Sequence, residues 1–170
     1  MALVYISIAI AALSLLFASG VAFFIRRQKV AIPKALEISR LISRGALTFL
    51  KKEYKILFLF VALVAAALFL FFDYRIGLAF LSGVVFSVLA GNIGIRVAAS
   101  ANVRTVQASQ RSLMAGFRIA FSSGSIVGLT VVGLGLLGIS VLYLVFQNPQ
   151  IIYGFGFGAS VVALFARVGG

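Results

Sequence analysis

The sequence predicts an all-α integral membrane protein with about five transmembrane helices. Of its 170 residues, 63% are hydrophobic, and the mean hydropathy is +1.20, far above that of an ordinary globular domain. Five apolar stretches come close to or exceed the roughly 20 residues with which a helix crosses a bilayer. Basic residues fall in blocks between these stretches, as they do in the loops of multi-pass membrane proteins.

The first predicted span covers residues 3–25. No basic residue precedes it, and its apolar run is longer than that of a signal peptide. Arg26 and Arg27 follow it, and basic residues favour the cytoplasmic side. We therefore expect an uncleaved helix whose N-terminus is external.

Residues 33–55 are predicted to form an amphipathic cytoplasmic helix. Pro33 suits the start of a helix, because the N–H that proline lacks has no helical partner there. Apolar residues then recur at helical spacing, with most of the basic residues on the other face. Two interpretations stay open: a helix with its bases against anionic headgroups, or a docking face for another part of the protein.

Three further spans follow from continuous apolar runs. Residues 56–72 and 77–99 are joined by a tight external turn at Asp73. Residues 113–146 would measure about 50 Å as one helix, which exceeds the hydrocarbon thickness of a bilayer. The Arg118 end of that helix should therefore project into the cytoplasm.

Glycine patterns predict close helix packing in the last two spans. Gly124 and Gly128 form a GxxxG motif, a weak signal that three further glycines on the same span strengthen. In the last predicted span, residues 151–167, Gly154 and Gly158 remove bulk from one end. We expect this helix to lie inside a bundle, since small residues let helix backbones approach closely.

Arg167 is the only cation of the last span. A guanidinium at the end of an apolar helix can snorkel to the membrane surface. It can also line an ion path, because charges within a helix bundle are costly and tend to be functional. The chemistry of this residue leaves both interpretations open.

The composition excludes several kinds of site. The chain has no cysteine and no histidine, so disulfides, thiol chemistry and the commonest metal ligands are ruled out. Its three carboxylates, Glu37, Glu53 and Asp73, are too few and scattered for a hydrolytic metal site. The net charge of +12 does not indicate nucleic-acid binding, because the aromatic residues lie in the spans and not among the bases.

Four segments carry the most specific pattern in the chain. They are Gly45-Ala46 with Phe49-Leu50 before Tyr54; Ala101-Asn102-Val103-Arg104-Thr105; Ala120-Phe121 with the glycine-rich fourth span; and Gly156 to Ser160 continuing through Ala163 to Gly170. In this order they resemble the membrane-integral, ion-pumping inorganic pyrophosphatases. The resemblance is to the N-terminal part of that family and covers essentially the whole chain.

The resemblance implies a larger machine than this chain contains. Family members are homodimers, each subunit a bundle of about sixteen transmembrane helices. They cleave pyrophosphate at a cytoplasmic site filled with Mg²⁺ and drive H⁺ or Na⁺ outward, in some cases with K⁺. The Asp-rich motifs of that site begin beyond the position matching Gly170. Arg167 matches the arginine at the entrance of the ion path, which favours the ion-path interpretation.

We therefore expect an N-terminal fragment of such a pump, with its catalytic and metal-binding residues outside this chain. The alternative is a complete, small, non-enzymatic membrane scaffold or transporter subunit. A carrier with a substrate site at the midplane is disfavoured, because the spans show few polar groups beyond serine and threonine.

The distribution of charge predicts the topology. Thirteen basic residues lie in the connections after the first and third spans, whereas Arg75 alone lies on the other side. The positive-inside rule makes the thirteen-base side cytoplasmic. Tags at residue 1 and beside Asn148 should then be external and a tag near Gln107 cytoplasmic. Accessibility labelling of intact cells measures this, and external labelling of Gln107 would contradict the topology.

Overall fold

The computed structural model describes residues 1–28 and 30–169 and folds them into five helices. These are α1 (Ala2–Arg27), α2 (Pro33–Phe71), α3 (Tyr74–Ser109), α4 (Leu113–Phe146) and α5 (Pro149–Gly169). Each is long and apolar enough to cross a membrane, which confirms the predicted all-α membrane fold. Lys29, one of the bases after the first span, and Gly170, at the end of the resemblance, lie outside the described residues.

Helix α2 joins the amphipathic segment and the second predicted span without a break. It has 39 residues, which corresponds to about 58 Å, whereas the hydrocarbon core of a bilayer is about 30 Å thick. Pro33 occupies its first position, as the missing N–H predicts. The first half of α2 must therefore extend past the hydrocarbon, and the last residues of the 36-residue α3 extend beside it.

Side chains cap the helices where the chain turns. The Asp73 carboxylate accepts a hydrogen bond from the Arg75 backbone N–H (2.9 Å), and the Ser112 hydroxyl accepts one from that of Ala115 (3.1 Å). These bonds satisfy N–H groups that the first turn of a helix leaves unpaired. Gln147 ends α4 in the left-handed conformation, with φ of 49°. The connections are consequently short, and successive helices run antiparallel.

Helix α3 is the centre of the bundle and contacts each of the other four helices. Three clusters of buried apolar side chains surround it. The first joins α3 to α1 and α4 around Ala18 and Ile126. The second joins it to α2 and α5 around Phe80, which is 0% exposed. The third, around Ala79 and Phe155, lies between α3 and α5 and is flanked by α4.

Two glycines of α5 bring its backbone against that of α3. A Cβ atom on Gly154 would lie 2.6 Å from the Ile76 carbonyl oxygen, and a Cβ on Gly158 would overlap the Phe80 carbonyl oxygen. No other residue type fits these positions without moving one of the helices. Gly154 and Gly158, which the sequence analysis selected, therefore both lie in the interface between α3 and α5.

The facing side of α3 is equally free of bulk. A Cβ atom on Gly83 would overlap the Phe155 carbonyl oxygen. One turn further along, the Ser87 hydroxyl donates a hydrogen bond to the Ala159 carbonyl oxygen (3.2 Å). Small residues on both helices thus permit close backbone contact, the usual way in which transmembrane helices associate.

We expect Gly158→Ala to destabilise the 170-residue chain, because the new methyl group would have to displace the Phe80 backbone. An extra carbon in a well-packed interface costs about 1–3 kcal/mol. The matched control is Gly156→Ala, since nothing lies within 4 Å of a Cβ at Gly156. The control should be neutral or slightly stabilising, because alanine is the better helix former.

The free energy of unfolding of both variants can be measured in detergent micelles by circular dichroism with increasing SDS. Equal stability of the two variants would show that α3 and α5 are not in backbone contact at Gly158.

Candidate functional site

Helix α5 has one packed face and one open face. The packed face carries Ile151, Phe155 and Val162, which are buried. The open face carries small residues and one cation, three or four positions apart, and all of them are exposed. They are Gly156, Ser160, Ala163 and Arg167. Since residues three and four apart share one side of a helix, these four residues form a single stripe, which we call the Arg167 stripe.

The Arg167 end of this stripe lines a groove. The groove has a volume of about 430 Å³ and is lined by Ser160, Ala163, Leu164 and Arg167. Among residues 1–28 and 30–169, its lining contains no carboxylate that could neutralise the guanidinium. The charge of Arg167 therefore faces a space that the neighbouring helices of this chain leave open.

The Arg167 stripe differs from a lipid-facing helix surface in its small residues, although the exposed side chains of Phe157 and Leu164 flank it. The exposed side of α1 carries large apolar residues such as Leu13 and Phe17. Beside Arg167, Ser160 and Ala163 leave room for another helix backbone to approach. A purely snorkelling arginine needs no small neighbours, since it only has to reach the membrane surface. The composition of the stripe therefore favours a position facing other protein segments.

The three carboxylates of the chain lie far from one another. Glu37 and Glu53 are separated along α2 by about 24 Å, and Asp73 caps α3 at the other end of the bundle. Within residues 1–28 and 30–169, no three acidic, histidine or cysteine side chains come together as metal ligands. A Mg²⁺ site requires clustered oxygen ligands, so these residues do not fit the magnesium cluster that the resemblance implies.

Glu53 is a polar feature that the sequence analysis counted but did not single out. It is 9% exposed, and its Oε2 atom has no hydrogen-bond partner among the described residues. The sequence could have indicated this burial, because Glu53 falls at helical spacing between Leu50 and Leu57. An acid within an apolar stripe faces the same way as the stripe. An unpaired buried carboxylate is costly. The Arg104 Nε atom is likewise buried without a hydrogen-bond partner among the described residues.

The glycines of α4 divide between two faces. Cβ atoms on Gly133 and Gly138 would lie 2.9 Å from the Leu15 side chain and 2.5 Å from the Phe155 ring, respectively. Gly124 and Gly128 are exposed, and within the described part of the chain nothing lies within 4 Å of a Cβ on either. Their role in helix packing stays a prediction, which concerns a partner outside these five helices.

Comparison with known proteins gives consistent matches along the chain. The family model described as inorganic H⁺ pyrophosphatase matches residues 12–170. A Clostridium tetani protein named as a K⁺-stimulated pyrophosphate-energized sodium pump is 40% identical over 159 residues, which cover 93% of this chain and 24% of that protein. A K⁺-insensitive pyrophosphate-energized proton pump of Methanosarcina mazei is 35% identical over 160 residues, with the same two coverages of 93% and 24%.

A further relative is a K⁺-insensitive pyrophosphate-energized proton pump of Caldanaerobacter subterraneus. It is 34% identical over an alignment 194 residues long, gaps included, and the alignment covers 99% of this chain and 27% of that protein. The chain thus spans about a quarter of the length of the curated relatives it matches.

Proposed function

This chain belongs to the inorganic H⁺ pyrophosphatase family, and we propose that it forms the N-terminal part of a pump that couples pyrophosphate hydrolysis to outward transport of H⁺ or Na⁺. The match along residues 12–170 carries this proposal, because relatives that match nearly the whole chain are named as pyrophosphate-energized pumps. The alternative of a non-enzymatic scaffold has no counterpart among these names.

In this proposal the five helices contribute structure and part of the ion path, and other segments of the pump bind pyrophosphate. The scattered carboxylates support this division, since they do not fit a magnesium site. The relatives include K⁺-stimulated and K⁺-insensitive pumps. Stimulation by K⁺ is therefore a property of some family members, and the proposal does not assign it to this chain. The resemblance also favours a homodimer of the complete pump.

We assign the basic end of the bundle to the cytoplasm. Two hydrogen bonds join the connections that carry most of the bases: Arg104 Nη2 donates to the Arg26 carbonyl oxygen, and the Ala31 N–H donates to Gln107 Oε1, both at 2.9 Å. The bases after α1 and those at the end of α3 therefore lie at one end of the bundle. The positive-inside rule then supports an external N-terminus.

We assign Arg167 to the cytoplasmic entrance of the ion path. The small residues of the Arg167 stripe support this role, since they leave room for the remaining helices of the pump. A planar guanidinium at this point can hold a carboxylate of another segment with two parallel hydrogen bonds. Such a pair sets the protonation of the carboxylate and thereby influences ion release.

The first test concerns catalysis. We expect the 170-residue chain, purified in detergent, to release no phosphate from pyrophosphate and Mg²⁺, because its three carboxylates do not assemble a metal cluster. A colorimetric phosphate assay measures this, with the complete gene product as positive control. Magnesium-dependent hydrolysis by the 170-residue chain alone would contradict the proposed location of the site.

The second test concerns Arg167 in the complete gene product. Arg167→Lys should lower coupled ion uptake about tenfold or more, since lysine does not reproduce the planar fork and a buried carboxylate left unpaired costs a few kcal/mol. Arg167→Ala should lower ion uptake further. Both effects should exceed any change in protein abundance. Ion uptake and phosphate release can be measured together in sealed membrane vesicles.

The matched control is Arg27→Lys. Arg27 also stands in the last turn of an apolar helix at the basic end, and its guanidinium lies 4.2 Å from the centre of the Phe23 ring. A lysine there reaches the membrane surface equally well, so ion uptake should be unchanged. Normal coupled transport in Arg167→Lys would contradict the ion-path assignment and would show that Arg167 only snorkels, as Arg27 does.

A further inference from the structure

A second groove lies between the cytoplasmic parts of α2 and α3, away from the Arg167 stripe. Its volume is about 460 Å³. Among the residues that the structure describes, its lining has no carboxylate and contains four arginines, two from each helix. They are Arg40 and Arg44 of α2, and Arg96 and Arg104 of α3. We call this space the arginine groove. Four like charges around one space repel each other, so the groove favours an anion.

Neutral groups hold the two α3 arginines in place. Arg96 Nε donates to Asn92 Oδ1 (2.6 Å), and Arg104 Nη1 donates to the Ser100 carbonyl oxygen (2.6 Å). The Nε atom of Arg104 is buried and has no hydrogen-bond partner among the described residues. Arg104 Nη2 also donates to the Arg26 carbonyl oxygen of α1 (2.9 Å). All of these acceptors are neutral, so no described residue of the lining compensates the positive charge of the groove.

The rest of the lining is largely apolar. Leu36 and Leu47 of α2 and Ile95 and Val103 of α3 also line the groove, and we call these four side chains its apolar floor. A small soluble anion would contact only the charged rim and gain nothing from this floor. A molecule with both an anionic group and hydrocarbon would contact both surfaces.

The height of the groove places it at the membrane surface. The Ser39 hydroxyl donates to the Ala99 carbonyl oxygen (3.5 Å) across the two helices. Ala99 is the last residue of the third predicted span, so this level corresponds to the interface between hydrocarbon and water. Basic pockets between transmembrane helices on the cytoplasmic side suit anionic lipid headgroups.

We propose that the arginine groove binds an anionic phospholipid of the cytoplasmic leaflet. Arg40 and Arg44, which are exposed at the rim, hold the phosphate oxygens through their planar guanidinium groups. The glycerol and the upper part of an acyl chain lie against the apolar floor. The bound lipid would join α2 to α3 beyond the point where the hydrocarbon core ends.

The test uses the complete gene product in detergent, with phosphatidylglycerol and phosphatidylcholine at equal concentrations. Native mass spectrometry measures how much of each lipid is bound. We expect a preference for phosphatidylglycerol that Arg40→Gln/Arg44→Gln lowers roughly 25-fold, since each base near a membrane surface contributes about fivefold.

The control Lys51→Gln/Lys52→Gln removes the same charge from the same helix at exposed positions outside the groove. It should keep the lipid preference. If the arginine double variant does not fold, Ala46→Glu decides the question, because Ala46 also lines the groove and a carboxylate there repels the phosphate. We expect Ala46→Glu to lower phosphatidylglycerol binding and to leave phosphatidylcholine binding unchanged.

Three results would overturn the proposal. If the arginine and the lysine double variants lost the preference for phosphatidylglycerol equally, the preference would come from the total charge and not from the groove. An unchanged preference in Arg40→Gln/Arg44→Gln or in Ala46→Glu would exclude this groove as the site. Full displacement of phosphatidylglycerol by an equal concentration of inorganic phosphate would show a site for free phosphate, since the apolar floor would then contribute nothing.

Discussion

The close approach of the α3 and α5 backbones is the contact on which the rest of the arrangement depends. Between helices in a bilayer the hydrophobic effect gives no net attraction, because lipid tails are as apolar as leucine, and association relies on tight packing. Gly158 on one helix and Gly83 on the other supply that packing. Since α3 also contacts α1, α2 and α4, its contact with α5 determines where α5 lies relative to those three helices.

The same contact explains how α5 can serve both structure and transport. Its glycines at 154 and 158 take up the contact with α3, and this rotates the Arg167 stripe to the opposite side. That side carries small residues beside one cation, an arrangement suited to further helices and to an ion path between them. A helix that is packed on one side and carries small residues and a cation on the other suits the interior of a pump, in keeping with the proposed function.

Charge is concentrated at one end of the bundle because α2 and α3 are longer than the membrane is thick. Their extensions carry bases out of the hydrocarbon and place them beside the bases at the end of α1, where Arg104 donates a hydrogen bond to the Arg26 carbonyl oxygen. The arginine groove arises where two such extensions lie side by side. The proposed orientation and the proposed lipid site thus rest on one physical interaction, the attraction between clustered bases and an anionic surface.

The sequence by itself determined the all-α membrane class, the number of membrane-spanning helices and the family, because hydropathy, charge and short motifs are properties of single segments. Only the tertiary structure decided what each residue faces. Gly154 and Gly158 turn towards α3, whereas Gly124 and Gly128, which match them in spacing, turn away from every described neighbour. Glu53 is buried although three lysines surround it in the sequence. Periodicity gives the faces of one helix, whereas its rotation against its neighbours depends on side chains distant in the chain.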